Sequence, residues 1–189
     1  MPMLIILSVL IPIIVAAVIA FFVYIIGNVY NGFIRRRSKL ETSWHELRKL
    51  IVKCYSALPS VIHTVETEPE IHQLLIDIYR TYQSLDIDSQ ISELAVIDAD
   101  FKKFAKTFNL DSVPMSSKVG KDNIEFLLAE RRNLDFSIPL YNSNVLDYEH
   151  FRRLPVNRLF AKVFKFGPKP YFMTEEKIQE LREKRRLPR

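Results

Sequence analysis

The sequence predicts an all-α protein, an N-terminal transmembrane helix followed by an antiparallel helical bundle, and three observations carry that expectation. The first 34 of 189 residues contain no Asp, Glu, Lys, Arg or His, although 26% of the whole chain is charged. Beyond them, apolar residues recur at steps of three and four, the period of one helix face, and strand-like alternation is missing.

Residues 1–34 read as a membrane anchor with its core at 4–26, a stretch of 23 residues. As a helix that stretch is about 34 Å long, against a hydrocarbon core of about 30 Å. A cleaved signal peptide has a positive start, a shorter apolar core and a small-residue cleavage site. Here the start is uncharged and the apolar run continues into bulky Phe21, Phe22 and Tyr24, so the anchor is expected to stay. Pro12 falls mid-span, where membrane helices tolerate proline. Tyr24, Tyr30 and Phe33 suit an interfacial aromatic belt, and Arg35, Arg36, Arg37 and Lys39 follow at once. By the positive-inside rule the N-terminus lies outside, and the chain is a single-pass protein of the cell membrane with its soluble domain in the cytoplasm.

Residues 35–172 read as the bundle. Leu40, Trp44, Leu47, Ile51, Cys54 and Leu58 follow one another at steps of 4, 3, 4, 3 and 4, a bundle seam. Pro59 marks a kink or a restart, with the proline in a first turn. After a break at 66–69, Ile71, Leu75, Ile78, Tyr82 and Leu85 form a second helix. Leu94, Ile97, Phe101, Phe104 and Phe108 form a third. Residues 109–123, with Pro114 and Gly120, read as a loop. Ile124, Leu127 and Leu134 mark a fourth helix that Pro139 is expected to bend or end, and Tyr141, Val145, Tyr148 and Phe151 resume the period. Leu159, Phe160, Val163, Phe164 and Phe166 are too bulky a cluster for water; they pack on the bundle, on the membrane or on a partner. Residues 173–189 form a charged tail with a polar helix over 175–186.

Charge is distributed unevenly. Residues 31–54 carry seven basic and two acidic side chains, 65–130 carry six and thirteen, and 151–189 carry twelve and four. A basic collar beside a membrane span and a basic tail suit anionic lipid headgroups, which makes Arg35, Arg36, Arg37, Lys39, Arg158, Lys162, Lys165 and Lys169 candidate lipid contacts. In a lipid reading, Phe160, Phe164, Phe166, Tyr171 and Phe172 insert beside them; in a packing reading, those aromatics are core. No nucleic-acid-binding motif accompanies the basic residues, and nucleic acid is not an expected partner.

Reactive chemistry finds little footing. One cysteine, Cys54, excludes an internal disulfide framework and multi-cysteine metal sites, and four glycines leave no phosphate-cradling loop. His45-Glu46 opens like a zinc-protease helix, but Lys49 stands where the second histidine belongs. Asp86-Ile87-Asp88 and Asp98-Ala99-Asp100 lack the glycine and late glutamate of a calcium loop. No enzyme activity, catalytic residue, metal, cofactor or small-molecule substrate is expected.

Two segments resemble a known family. Tyr30-Asn31, then Arg35, Arg37, Glu41, Trp44, Tyr55, Pro59 and Thr64-Val65, emerging from an N-terminal span, resemble the opening of the LemA family of bacterial membrane proteins. Tyr141-Asn142, Val145, Asp147-Tyr148, Asn157, Ala161, Phe164, Phe166 and Phe172 resemble its closing helix and apolar tail. The resemblance implies an anchored antiparallel bundle without established catalysis, and it marks Tyr30, Asn31, Trp44, Pro59, Tyr141, Asn142 and Tyr148 as structural or interaction residues. Family members include a magnetosome-membrane protein, and some occur beside membrane metalloproteases. The chain departs from the family at 50–54, where a basic run is replaced by Leu50-Ile51-Val52-Lys53-Cys54, and at Ile138-Pro139, where paired arginines are usual. The expected function is a membrane-associated structural or organising scaffold that self-associates or binds a membrane-protein partner. The alternative is an adaptor or regulatory subunit of a membrane protease.

Overall fold

The computed structural model describes residues 2–64, 69–87, 91–108 and 118–173. These residues form six helices and no strand: α1 (Pro2–Ser56), α2 (Leu58–Thr64), α3 (Pro69–Ser84), α4 (Ile91–Phe108), α5 (Lys118–Arg153) and α6 (Pro155–Val163). The chain is all-α, as the apolar spacing predicts.

Local chemistry sets the helix ends. Ala57 forms the turn between α1 and α2, and Pro59 occupies the first turn of α2, where its missing N–H costs nothing. Pro69 opens α3 and Glu70 follows in its first turn, an acid placed well for the helix dipole. The last turn of α5 carries His150, Arg152 and Arg153, the complementary sign at the other pole. Leu154 then stops α5 because it precedes Pro155, which pushes it to an extended ψ of 141°. Pro155 itself starts α6.

One sequence expectation is corrected and another is narrowed. The loop expected over 109–123 gives way to α5 from Lys118 onward, and 109–117 lie outside the described residues. Gly120 is buried in the opening of α5, so tertiary packing overrides a weak local preference against helix. Pro139 does not end its helix; α5 runs through it. Leu134, Tyr141 and Val145 are buried on both sides of it, and the exposed position of Pro139 leaves the carbonyl it cannot serve open to water. The helix expected over 175–186 and the side chains of Phe104 and Phe108 lie outside the description.

The chain divides into two compact units, Met1–Lys39 with Asp147–Pro168, and Leu40–Leu146 with Lys169–Arg189. In the second, the α1 and α5 segments run antiparallel: Lys53 meets Glu130 at 2.6 Å, and Trp44 meets Tyr141 at a ring distance of 5.4 Å. Its core joins Leu47, Ile51 and Leu58 to Leu75, Leu94, Phe101, Leu127 and Leu134. Tyr55 stacks on Tyr82 at 4.6 Å and tilts against Phe101 at 6.1 Å. Trp44, expected in the buried seam, is half-buried at its edge.

A polar group is set into this apolar core. Arg131 on α5 donates through both terminal nitrogens to the carboxylate of Asp98 on α4, and one of them also reaches Asp135 at 3.2 Å. Lys102 donates to the same Asp135 at 2.8 Å. Burial works against the Arg131 charge, but the Asp98 hydrogen bond and the two carboxylates hold its guanidinium above its ordinary range. Burial pushes the nearby Cys54 thiol from 9.0 up to about 12 and raises the Tyr55 phenol as well.

Leu47→Ala should cost about 2 to 5 kcal/mol, the loss of a fully buried leucine. Val96→Ala on α4, at a position 47% exposed, should stay within about 0.5 kcal/mol; denaturant unfolding of the detergent-solubilised chain compares the two. The folded Cys54 thiol keeps its proton to higher pH than the unfolded one. Its contribution is therefore complete below about pH 9 and is lost as pH rises toward 12. The thermal midpoint should fall over that window, later in Cys54→Ala, and a thiol reagent at pH 8 should label Cys54 only after denaturation.

Candidate functional site

The unit of Met1–Lys39 with Asp147–Pro168 is built around a close approach. Gly32 of α1 has no side chain, and a Cβ there would lie 2.6 Å from the tip of the Phe151 ring. Into that space α5 brings Phe151, and the Phe33 ring meets it edge-on at 5.0 Å. Phe33 also stacks on Phe166 at 4.5 Å with nearly parallel planes, and meets Tyr148 edge-on at 6.2 Å. Arg36, one turn beyond Gly32, lies 3.9 Å over the Phe151 ring and pairs with Asp147 at 3.2 Å. Within this unit, too, the α1 and α5 segments run antiparallel.

The chain after α5 is tied back by polar side chains. Asn157 donates its amide to the Phe151 carbonyl at 2.9 Å, serving one of the orphan acceptors at the end of α5. The buried Tyr148 hydroxyl donates to the Gly167 carbonyl at 2.9 Å. α6 closes with a Schellman turn: Phe166 N–H bonds the Ala161 carbonyl at 2.8 Å and Lys165 N–H bonds that of Lys162 at 3.4 Å. The left-handed residue of that turn is Lys165, with φ 56°, at a position where glycine is the unstrained choice.

α6 presents three faces. Asn157 and Ala161 are buried against the unit, Arg158 and Lys162 are exposed, and Val156, Leu159 and Val163 are 54%, 68% and 73% exposed. Its C-terminal end lies against Tyr30 of α1, whose ring is 5.4 Å from Phe164 and 6.0 Å from Phe166. The N-terminal part of α1 is long and apolar enough to cross a membrane, and none of its most apolar window is buried within the protein.

In the other unit, Tyr141 and Asn142 hold the segment that follows Pro168. The Tyr141 hydroxyl donates to the Pro170 carbonyl at 2.9 Å. Asn142 donates to the Phe172 carbonyl at 3.0 Å and accepts from the Phe172 N–H at 2.8 Å. The buried phenol of Tyr141 is raised above its ordinary range by desolvation.

Of the residues singled out from sequence, Tyr141, Asn142 and Tyr148 thus tie the segment 167–172 to α5. Trp44 packs on Tyr141, Tyr30 touches Phe164 and Phe166, and Asn31 and Pro59 are exposed. The aromatics of the lipid reading divide. Phe166 and Phe172 are buried and Tyr171 packs on the core, so insertion by these three is corrected to packing. Phe164 stays 40% exposed and Phe160 is partly buried, and beside them the aliphatic Val156, Leu159 and Val163 of α6 are exposed, which an aromatic-centred reading of the segment passes over. Gly32 was missed, because a lone glycine inside a helical pattern is tolerated at modest cost and carries no local sign of the Phe151 ring that fills its place. Arg35, Arg37, Arg158, Lys162 and Lys165 are exposed, Lys39 is exposed at the end of this unit, Arg36 is partly covered, and Lys169 belongs to the other unit. Among the described residues, no group of three His, Cys, Asp or Glu side chains is placed to hold a metal ion.

No family model, curated protein or solved structure matches this chain.

Gly32→Ala should force the Phe151 ring from under Arg36 and destabilise the chain by about 1 to 3 kcal/mol, the cost of overpacking. Phe151→Leu in the same chain should recover part of that loss. Thermal unfolding in detergent gives both values; an unchanged midpoint for Gly32→Ala would mean that the ring yields freely.

Proposed function

We propose that this chain is a single-pass membrane protein of LemA-like build, with its N-terminus outside and its bundle in the cytoplasm, and that it organises membrane assemblies by pairing with further copies of itself. The observation that carries this reading is a second apolar stripe on α5, separate from the one that enters the core. Phe126, Ala129, Asn133, Phe136 and Leu140 follow one another at steps of 3, 4, 3 and 4. Phe126, Phe136 and Leu140 are 44%, 79% and 54% exposed.

Such spacing is the seam of a coiled coil, and a helix with one such seam is suited to pair with another copy of itself. Asn133 adds a polar group at a seam position, a placement that favours one register over others at some cost in stability. The exposed span of α1 supports the anchor, and the collar of Arg35, Arg36, Arg37 and Lys39 supports the orientation. The pattern offers no such support to an adaptor of a membrane protease, which needs a surface shaped for a different chain.

A cysteine at position 136, with buried Cys54 left in place, tests both parts. Phe136→Cys should form disulfide-linked dimers in native membranes under mild oxidation, several-fold more than Ser84→Cys on α3. In intact cells the same thiol should resist a membrane-impermeant reagent until lysis. Equal cross-linking at 84 and 136 would remove the seam, and labelling of intact cells would reverse the orientation.

A further inference from the structure

We propose that α6 lies in the plane of the membrane surface, with Val156, Leu159 and Val163 seated at the boundary between headgroups and acyl chains. Arg158, Lys162 and Lys165 lie among anionic headgroups. The inference rests on reading α1 as a membrane span and adds a second, shallow attachment beside it.

The geometry of α6 is that of a surface helix. At about 100° per residue, Val156, Leu159 and Val163 fall on one narrow stripe, away from the side that buries Asn157 and Ala161. The basic residues fall between these two faces. An apolar stripe flanked by lysine and arginine is the composition of helices that rest in the interface.

Its position suits the same surface. Tyr30, which touches Phe164 and Phe166 at the end of α6, stands four residues beyond Ile26, about 6 Å along the α1 axis. The headgroup layer is about 5 to 7 Å thick on each side of the hydrocarbon core. The end of α6 is therefore held at headgroup depth by the protein's own packing.

Lys165 supplies an independent observation. It occupies the left-handed position of the turn that ends α6, where glycine would relieve strain and Gly167 stands only two residues away. A strained, exposed lysine in that place sets a positive charge at the C-terminal pole of α6, where it serves the helix dipole and is open to an anionic surface as well.

Nitroxide labels on the full-length chain, reconstituted in phosphatidylcholine bilayers containing phosphatidylglycerol, test the seat of α6. Single cysteines replace Ile14, Ser84, Leu159 or Val163, with Cys54 retained. Collision with oxygen against collision with a water-soluble nickel chelate reports depth. The ratio at Leu159→Cys and Val163→Cys should exceed that at Ser84→Cys at least threefold and stay below that at Ile14→Cys.

An Ile14 label open to the nickel chelate would overturn the span and the seat together. A deep Ile14 label with Leu159 and Val163 labels like Ser84 would overturn the seat alone. Labels at Leu159 and Val163 shielded from both reagents would mean that protein covers the stripe, which also overturns it. Omitting phosphatidylglycerol, or replacing Arg158, Lys162 and Lys165 by Gln, should move the Leu159 label toward water; indifference to both would overturn the role given to the bases. Lys165→Gly should raise the melting midpoint yet leave the Leu159 label shallower, and an unchanged depth would remove Lys165 from the headgroup contact.

Discussion

The Phe151 ring occupies the place where Gly32 has no side chain, and the unit that holds the start of α1 depends on that approach. With the ring against the α1 backbone, Arg36 can lie over its face while holding Asp147, and Phe33 can meet its edge. The Phe151 carbonyl is then available to Asn157, and α6 begins within one turn of the end of α5. None of these contacts is strong alone. An exposed ion pair contributes at most about 1 kcal/mol and a cation over an aromatic ring a similar amount. Their shared dependence on one missing methyl group gives the unit its register.

The other unit solves a different problem, which is how to bury a charge. Arg131 and Asp98 lose their hydration on entering the core, and their mutual attraction in a low-dielectric interior roughly offsets that cost. Asp135 and Lys102 extend the pair toward the surface, so the guanidinium is matched by carboxylates on two helices. The net gain over an apolar core is small. A packing that separated α4 from α5 at this level would strand a buried charge at a cost of about 3 to 5 kcal/mol. The ion pair therefore selects one arrangement among those that the surrounding leucines and isoleucines would accept.

Beside single exposed positions such as Val52, Leu74 and Val96, three groups of exposed apolar side chains stand out among the described residues. They occupy the N-terminal part of α1, the outer stripe of α6 and the second stripe of α5. The first two belong to one unit and share a proposed environment, the bilayer and its surface. The third lies on the other unit, and its heptad spacing suits a helix rather than lipid. A single-pass protein with a surface helix and a coiled-coil seam couples attachment to assembly, the physical content of the proposed organising role.

The sequence by itself determined the helical class, the long apolar helix, the seam at Leu40, Leu47, Ile51, Cys54 and Leu58, and the restart at Pro59, because each follows from local period or from proline geometry. It also pointed to Tyr141, Asn142 and Tyr148, although not to the carbonyls and amide they bind, which lie 19 to 30 residues further on. What only the tertiary structure decided were matters of distance between remote segments. Gly32 is a packing site because of Phe151, Asp98 is a buried partner because of Arg131, and α5 passes Pro139 because buried residues on both sides hold it. Phe166 and Phe172 went to the core while Leu159 and Val163 stayed outside, since hydrophobicity fixes that a side chain leaves water but not which surface it finds.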